Sequence, residues 1–92
     1  MDTFSIIAAK IIRQQEIIIG SIALEQAKKV PGIELDWENH QVTLTGDKTE
    51  ILNILVGQYK NFFGQASIEV CKDAAKKDLA EIPYDKIPLL LR

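Results

Sequence analysis

The stretch Ile33-Glu34-Leu35-Asp36-Trp37-Glu38-Asn39-His40-Gln41-Val42-Thr43-Leu44-Thr45-Gly46 decides the fold. Ile33, Leu35 and Trp37 alternate with Glu34, Asp36 and Glu38, and Val42 and Leu44 alternate with Gln41, Thr43 and Thr45. A period of two gives a strand one apolar and one polar face. With Asn39-His40 as a two-residue turn, Trp37 faces Val42 and Leu35 faces Leu44 on one side. Asp36 then faces Thr43, and Glu34 faces Thr45, on the other. A slip of one residue would mix the faces, so the pattern predicts an antiparallel β-hairpin.

Helical spacing flanks the hairpin on both sides. Upstream, Ile7, Ala8, Ile11, Ile12, Ile18, Ile19, Ile22 and Ala23 recur every three to four residues, which predicts one helix over residues 3–29. Asp2 or Thr3 caps its start, Lys28 and Lys29 suit its negative C-terminal end, and Val30-Pro31-Gly32 stops it. Downstream, Gly46 closes the hairpin, and Asp47 with Glu50 has capping-box spacing. Ile51, Leu52, Leu55, Val56, Tyr59, Phe62 and Phe63 form the next stripe. Ala66, Val70 and Ala74 continue it in phase across Gly64, with Glu69, Lys72, Asp73, Lys76 and Lys77 on a charged outer face. The alternation of Ala66-Ser67-Ile68-Glu69-Val70 also reads as a strand. The expected class is therefore α+β in a single domain over residues 1–92. Its order is long helix, two-stranded antiparallel β-hairpin, long helix and a short C-terminal helix through Leu89, Leu90 and Leu91. The alternative is αββαβ, with residues 66–71 as a third strand.

Composition narrows the function. Eleven Lys and Arg against 13 Asp and Glu give a net charge of −2, with no basic track, which argues against nucleic acid or an anionic membrane as partner. One Cys and one His provide neither an internal disulfide nor a multi-His metal site, so no metal or other cofactor is expected. His40 falls at a turn tip with no nucleophile near it in the pattern, and Cys71 reads as a small buried hydrophobe. Glu34, Asp36 and Glu38 on a straight strand are too far apart for a cation cage. No phosphate-binding glycine loop is present. These readings predict a non-enzymatic protein. No signal-peptide pattern and no apolar run of membrane length is seen, so the expected location is cytoplasmic.

Two features point to association. Ile18 to Lys28 aligns with Phe62 to Lys72 at an offset of 44 residues, with Gly, Glu and Lys identical. Glycine inside a helix is costly and is tolerated where backbones approach closely, so Gly20 and Gly64 are expected to mark a helix crossing. Ile6, Ile17 and Leu24 form a second apolar stripe on the first helix, beyond what one core face requires. With Leu89, Leu90 and Leu91 they make a candidate interface for a homodimer, unless the hairpin or the tail covers the stripe within the chain.

Ile19-Gly20-Ser21-Ile22-Ala23 resembles the Ile-Gly-Pro-Ile-Ala run of small helical modules attached to bacterial signalling proteins, with Ser21 in place of the proline. That resemblance implies a regulatory or interaction role and carries no catalytic residues. Val42-Thr43-Leu44-Thr45-Gly46 resembles a strand end of the BON domain, which implies the αββαβ alternative and a ligand- or lipid-binding module. The leading expectation is a non-catalytic protein–protein interaction or regulatory module in a signalling or assembly context. It would act as a homodimer and take an unidentified protein partner.

Overall fold

A computed structural model describes all residues, Met1–Arg92. The hairpin is present, with β1 (Ile33–Asp36) antiparallel to β2 (Gln41–Leu44). Its register differs from the expected one by two residues: Ile33 pairs with Leu44 and Leu35 with Val42. The connection is a four-residue loop, a 3₁₀ turn Trp37–Asn39 followed by His40 at φ 50°. Trp37 explains the change. Instead of standing opposite Val42, it leaves the strand, packs on the core from the turn, and donates its indole N–H to Glu16 Oε2 at 3.1 Å. Asn39 Nδ2 donates to Asp36 Oδ2 at 2.9 Å and closes the loop. An even shift keeps every side chain on its face, so the alternation survives.

Both long helices are broken. Residues 3–29 form α1 (Thr3–Ile19) and α2 (Ile22–Lys28), separated by Gly20. Residues 48–79 form α3 (Lys48–Phe63) and α4 (Gln65–Leu79), separated by Gly64. An uninterrupted helix over residues 3–29 would be about 40 Å long at 1.5 Å per residue. The whole molecule extends only 32 × 27 × 21 Å. The chain folds back instead, and each apolar stripe packs on its neighbours. Residues 66–71 lie within α4, so the third strand of the αββαβ alternative is replaced by helix. The expected C-terminal helix is reduced to two 3₁₀ turns, Tyr84–Lys86 and Leu89–Leu91, each entered through a proline.

The glycines are corners, not crossings. Gly20 has φ 75° and ψ −156°, and Gly64 has φ 81° and ψ −168°. That backbone region is essentially open to glycine alone. A Cβ at either position would meet nothing within 4 Å, so no backbone presses against them. Each glycine N–H caps the preceding helix, Gly20 on Glu16 O at 2.8 Å and Gly64 on Lys60 O. Asp2 caps α1 by accepting from Ser5 N at 2.9 Å, and Asp47 caps α3 by accepting from Glu50 N at 3.2 Å.

The 44-residue echo extends through the core. Ile7, Ala8, Ile11, Ile12 and Gln15 are buried on α1; at the same offset Ile51, Leu52, Leu55, Val56 and Tyr59 are buried on α3. Beyond the corners, buried Ala23 and Ala27 match buried Ser67 and Cys71. The hydrogen bonds are reciprocal as well. Gln15 Nε2 donates to Ser67 O at 3.4 Å, and Tyr59 Oη donates to Ala23 O at 2.8 Å. A side chain of each half thus reaches the same carbonyl of the other, as across an approximate two-fold axis. After its second helix each half returns along its first: the hairpin packs on α1 and the C-terminal tail on α3.

Candidate functional site

Two surfaces stand out, one at the glycine corners and one on the outer face of α1. The reciprocal bonds from Gln15 and Tyr59 hold the start of each second helix against the end of the other half's first helix. Both corners therefore lie at the same end of the molecule. Large apolar side chains remain in water beside them: Ile17 is 66% exposed, Ile18 59%, Phe62 50% and Phe63 38%. The two phenyl rings pack on each other, with centroids 4.8 Å apart. Single exposed apolar residues are ordinary, but four large ones at one end of a small domain are not.

Beneath this end the polar groups are sealed. Burial pushes the Tyr59 phenol well above its usual range, with the nearby Cys71 and Glu16 adding to the effect. Burial also raises the Cys71 thiol to about 11, against a lowering contribution from its hydrogen bond with Gln15. At neutral pH the sulfur is a protonated, enclosed thiol that packs as an apolar group, unlike a reactive thiolate.

The second surface is an open cleft of about 610 Å³ between α1, α4 and the hairpin tip. Met1, Ile6, Ala9 and Ala74 supply apolar wall, Met1 being held to the hairpin where its sulfur accepts from Val42 N at 3.3 Å, and Arg13, Gln14, His40 and Asp73 supply polar groups. A shallower depression of about 370 Å³ shares Gln14, Asp73 and Ala74 and runs on to Ile18 and Val70. Arg13 Nη1 lies 2.7 Å from His40 Nε2, so one ring nitrogen accepts from the guanidinium. The His40 ring also meets Trp37 edge-on at 5.1 Å. Lys10, at the cleft edge, is tied to Asp78 at 2.6 Å. No three His, Cys, Asp or Glu side chains converge as metal ligands would.

The residues singled out from the sequence separate. Ile17 and Leu89 are exposed, the latter 69%. Ile6 is half-buried in the cleft wall. Leu24 and Leu90 are half-buried against the core, and Leu91 is inside it. The tail therefore folds onto its own chain, and the six residues do not make one face. Gly20 and Gly64 belong to the corners. The stripe spacing places Ile18, Phe62 and Phe63 in the core, and it fails for them because each helix ends within two residues. The signal was the paired glycine in the repeat, which marks where each helix stops. The Arg13–His40 contact has no signature in the sequence, because its partners are 27 residues apart on different elements.

No helix is long and apolar enough to cross a membrane. No protein-family model matches the chain, nor does any curated protein or solved structure.

Proposed function

We propose that the protein is a non-catalytic protein–protein interaction module that works as a homodimer, with the corner end as its self-association surface. The observation that carries this reading is the exposure of Ile17, Ile18, Phe62 and Phe63 at one end of the molecule. The approximate two-fold gives that end similar apolar ground on both halves, which suits an isologous contact with a second copy. The enclosed thiol of Cys71 supports the non-catalytic part, since a group protonated up to about 11 is a poor nucleophile at neutral pH. The resemblance around Gly20 to helical modules of signalling proteins fits a regulatory setting. An αββαβ ligand-binding module has less support, because residues 66–71 are helical.

Light scattering on the full chain tests the proposal. The expected mass is that of two 10.3 kDa chains. Ile18→Asp combined with Phe62→Asp is expected to give a folded monomer by circular dichroism. Each buried side chain contributes about 1.5–3 kcal/mol to such a contact, so dissociation should rise at least tenfold per site. A wild-type monomer at high micromolar concentration overturns the homodimer. A dimer that both substitutions leave intact moves the interface elsewhere.

A further inference from the structure

The cleft on α1 has a closed counterpart on α3. Its wall residues Ala9 and Arg13 correspond, at the 44-residue offset, to Asn53 and Gly57. There the chain supplies its own occupant. Leu90 N–H donates to Asn53 Oδ1 at 3.0 Å, and Leu90 Cδ1 lies 3.7 Å from the place of a Cβ on Gly57. A methyl at this position would touch the leucine at ordinary contact distance, so the room beside it fits a side chain no larger than that of alanine. On α1 the return segment is the hairpin, whose tip reaches only to His40, and the space between it, Ile6 and Ala74 stays open. The cleft volume lies within the usual range for ligand sites, and apolar walls with a few polar groups are their usual lining.

The charges indicate what the occupant carries. Arg13 stands where the other half has Gly57, and its guanidinium bonds only an imidazole. The ion pairs of the molecule, Lys10–Asp78 and Lys48–Asp2, do not use it. Asp73 on the α4 wall repels an anion, and Lys10 is already neutralised by Asp78. An incoming carboxylate is thus directed to the Arg13 end. A guanidinium binds a carboxylate through a charge-assisted bond stronger than its bond to a neutral ring.

We propose that this cleft binds a leucine-bearing peptide ending in a carboxylate, its side chain on Ile6, Ala9 and Ala74 and its carboxylate on Arg13. The inference rests on the reading of the protein as an interaction module and names the chemistry of one partner. It does not require the homodimer.

Trp37 is the sole tryptophan and touches His40, so its fluorescence reports on the cleft. The full chain is titrated with acetyl-Leu-Leu bearing a free carboxylate and, in parallel, with its C-terminal amide. The acid is expected to give a saturable change and to bind about tenfold more tightly than the amide, the usual size of one charge-assisted contact. Arg13→Gln should bring acid binding down to the level of the amide, and Arg13→Lys should restore part of the difference. Asp73→Asn should tighten the acid by removing a repulsion. Circular dichroism confirms the fold of each variant, all of which alter exposed side chains. Equal binding of acid and amide, no binding of either, or acid binding indifferent to Arg13→Gln overturns the proposal. A Trp37 change that follows protein concentration without peptide also overturns it, because a second copy would then occupy the cleft. Light scattering on the same samples separates the two readings. A monomer that binds the acid defeats the homodimer and leaves the cleft, whereas a dimer that does not bind it defeats the cleft alone.

Discussion

The two halves of this molecule answer the same packing problem with different return segments. Each begins at an aspartate cap, runs one helix to a glycine corner, adds a second helix and turns back along the first. The first half returns as a β-hairpin that packs on α1 through β2 and is tied there by the Trp37–Glu16 bond, leaving a cleft towards α4. The second returns as proline-led turns that press Leu90 and Leu91 onto α3. The tail covers Asn53 and Gly57 on α3, whereas the hairpin leaves the matching flank of α1, towards α4, open as a cleft. Equivalent positions therefore carry different duties: Gly57 accommodates Leu90, while Arg13 holds His40 beside open space. The buried layer is the shared part and the return segments are the variable part.

The core should show the strongest equivalence. Ile11 and Leu55 are matched positions with no solvent exposure. Ile11→Ala and Leu55→Ala are each expected to cost about 2–5 kcal/mol, read from urea midpoints. If one is tolerated and the other unfolds the chain, the halves are alike in shape but not in energy.

Next in size are the glycines. Gly20→Ala and Gly64→Ala have steric room but the wrong backbone, and each should cost about 1–3 kcal/mol. Gly57→Ala should act in the opposite sense. Its backbone is helical, and the added methyl meets Leu90 at an ordinary contact distance of 3.7 Å. A gain of about 0.5–1 kcal/mol is expected from helix propensity. Three thermal melts decide the matter, and a stabilised Gly20→Ala variant would break the corner argument.

The caps come third. Asp2→Ala and Asp47→Ala should each lose about 1 kcal/mol. Only Asp2 also bonds Lys48, at 2.6 Å, which links the start of α1 to the start of α3. That bond, followed by the one from Ser5 N, holds the Asp2 carboxyl below its ordinary 3.8. A lowered folded pKa means the stabilisation is present above about 3.8 and is lost as pH falls through the lower folded value. Acid titration of wild type against Asp2→Asn should show the two curves converging at low pH. Because the side chain is substantially exposed, salt should shrink the difference.

The smallest effect at neutral pH belongs to Cys71. Its thiol holds its proton to about 11 when folded and to about 9.0 when free, so it adds no pH dependence near neutrality. Stability should fall as pH rises above about 9, where the unfolded chain releases the proton first. Ellman's reagent at pH 8 should label the folded chain only as fast as it opens, and urea should speed the reaction sharply. Rapid native labelling would show that the core opens readily around Cys71.

Much of this was legible in local patterns, and the misses share a cause. Alternation gave the strand faces, and capping residues gave the helix starts, at Asp2 or Thr3 and at Asp47, because these depend on near neighbours in the chain. The stripe rule also named the core positions of α1 and α3 correctly. It failed past Gly20 and Gly64, since a corner resets the phase: the stripe put Ala66, Val70 and Ala74 on the buried face of α4, whereas Ser67, Ile68, Cys71 and Ala75 occupy it and Ala66 is exposed. It failed for Ile18, Phe62 and Phe63 because the corner ends each helix within two residues. The two-residue turn was wrong because Trp37 found Glu16, a partner 21 residues away.

The helix–hairpin–helix order through Phe63, the strand faces and the 44-residue echo were written in the residues themselves, because each follows from local sterics and spacing, while residues 66–71 fitted helix and strand alike. Tertiary structure alone decided that Leu91 is core while Ile17 is surface, and that Arg13 meets His40 beside an open cleft. Those outcomes depend on which segment returns to cover which helix, and burial on that scale is set by the whole packed molecule.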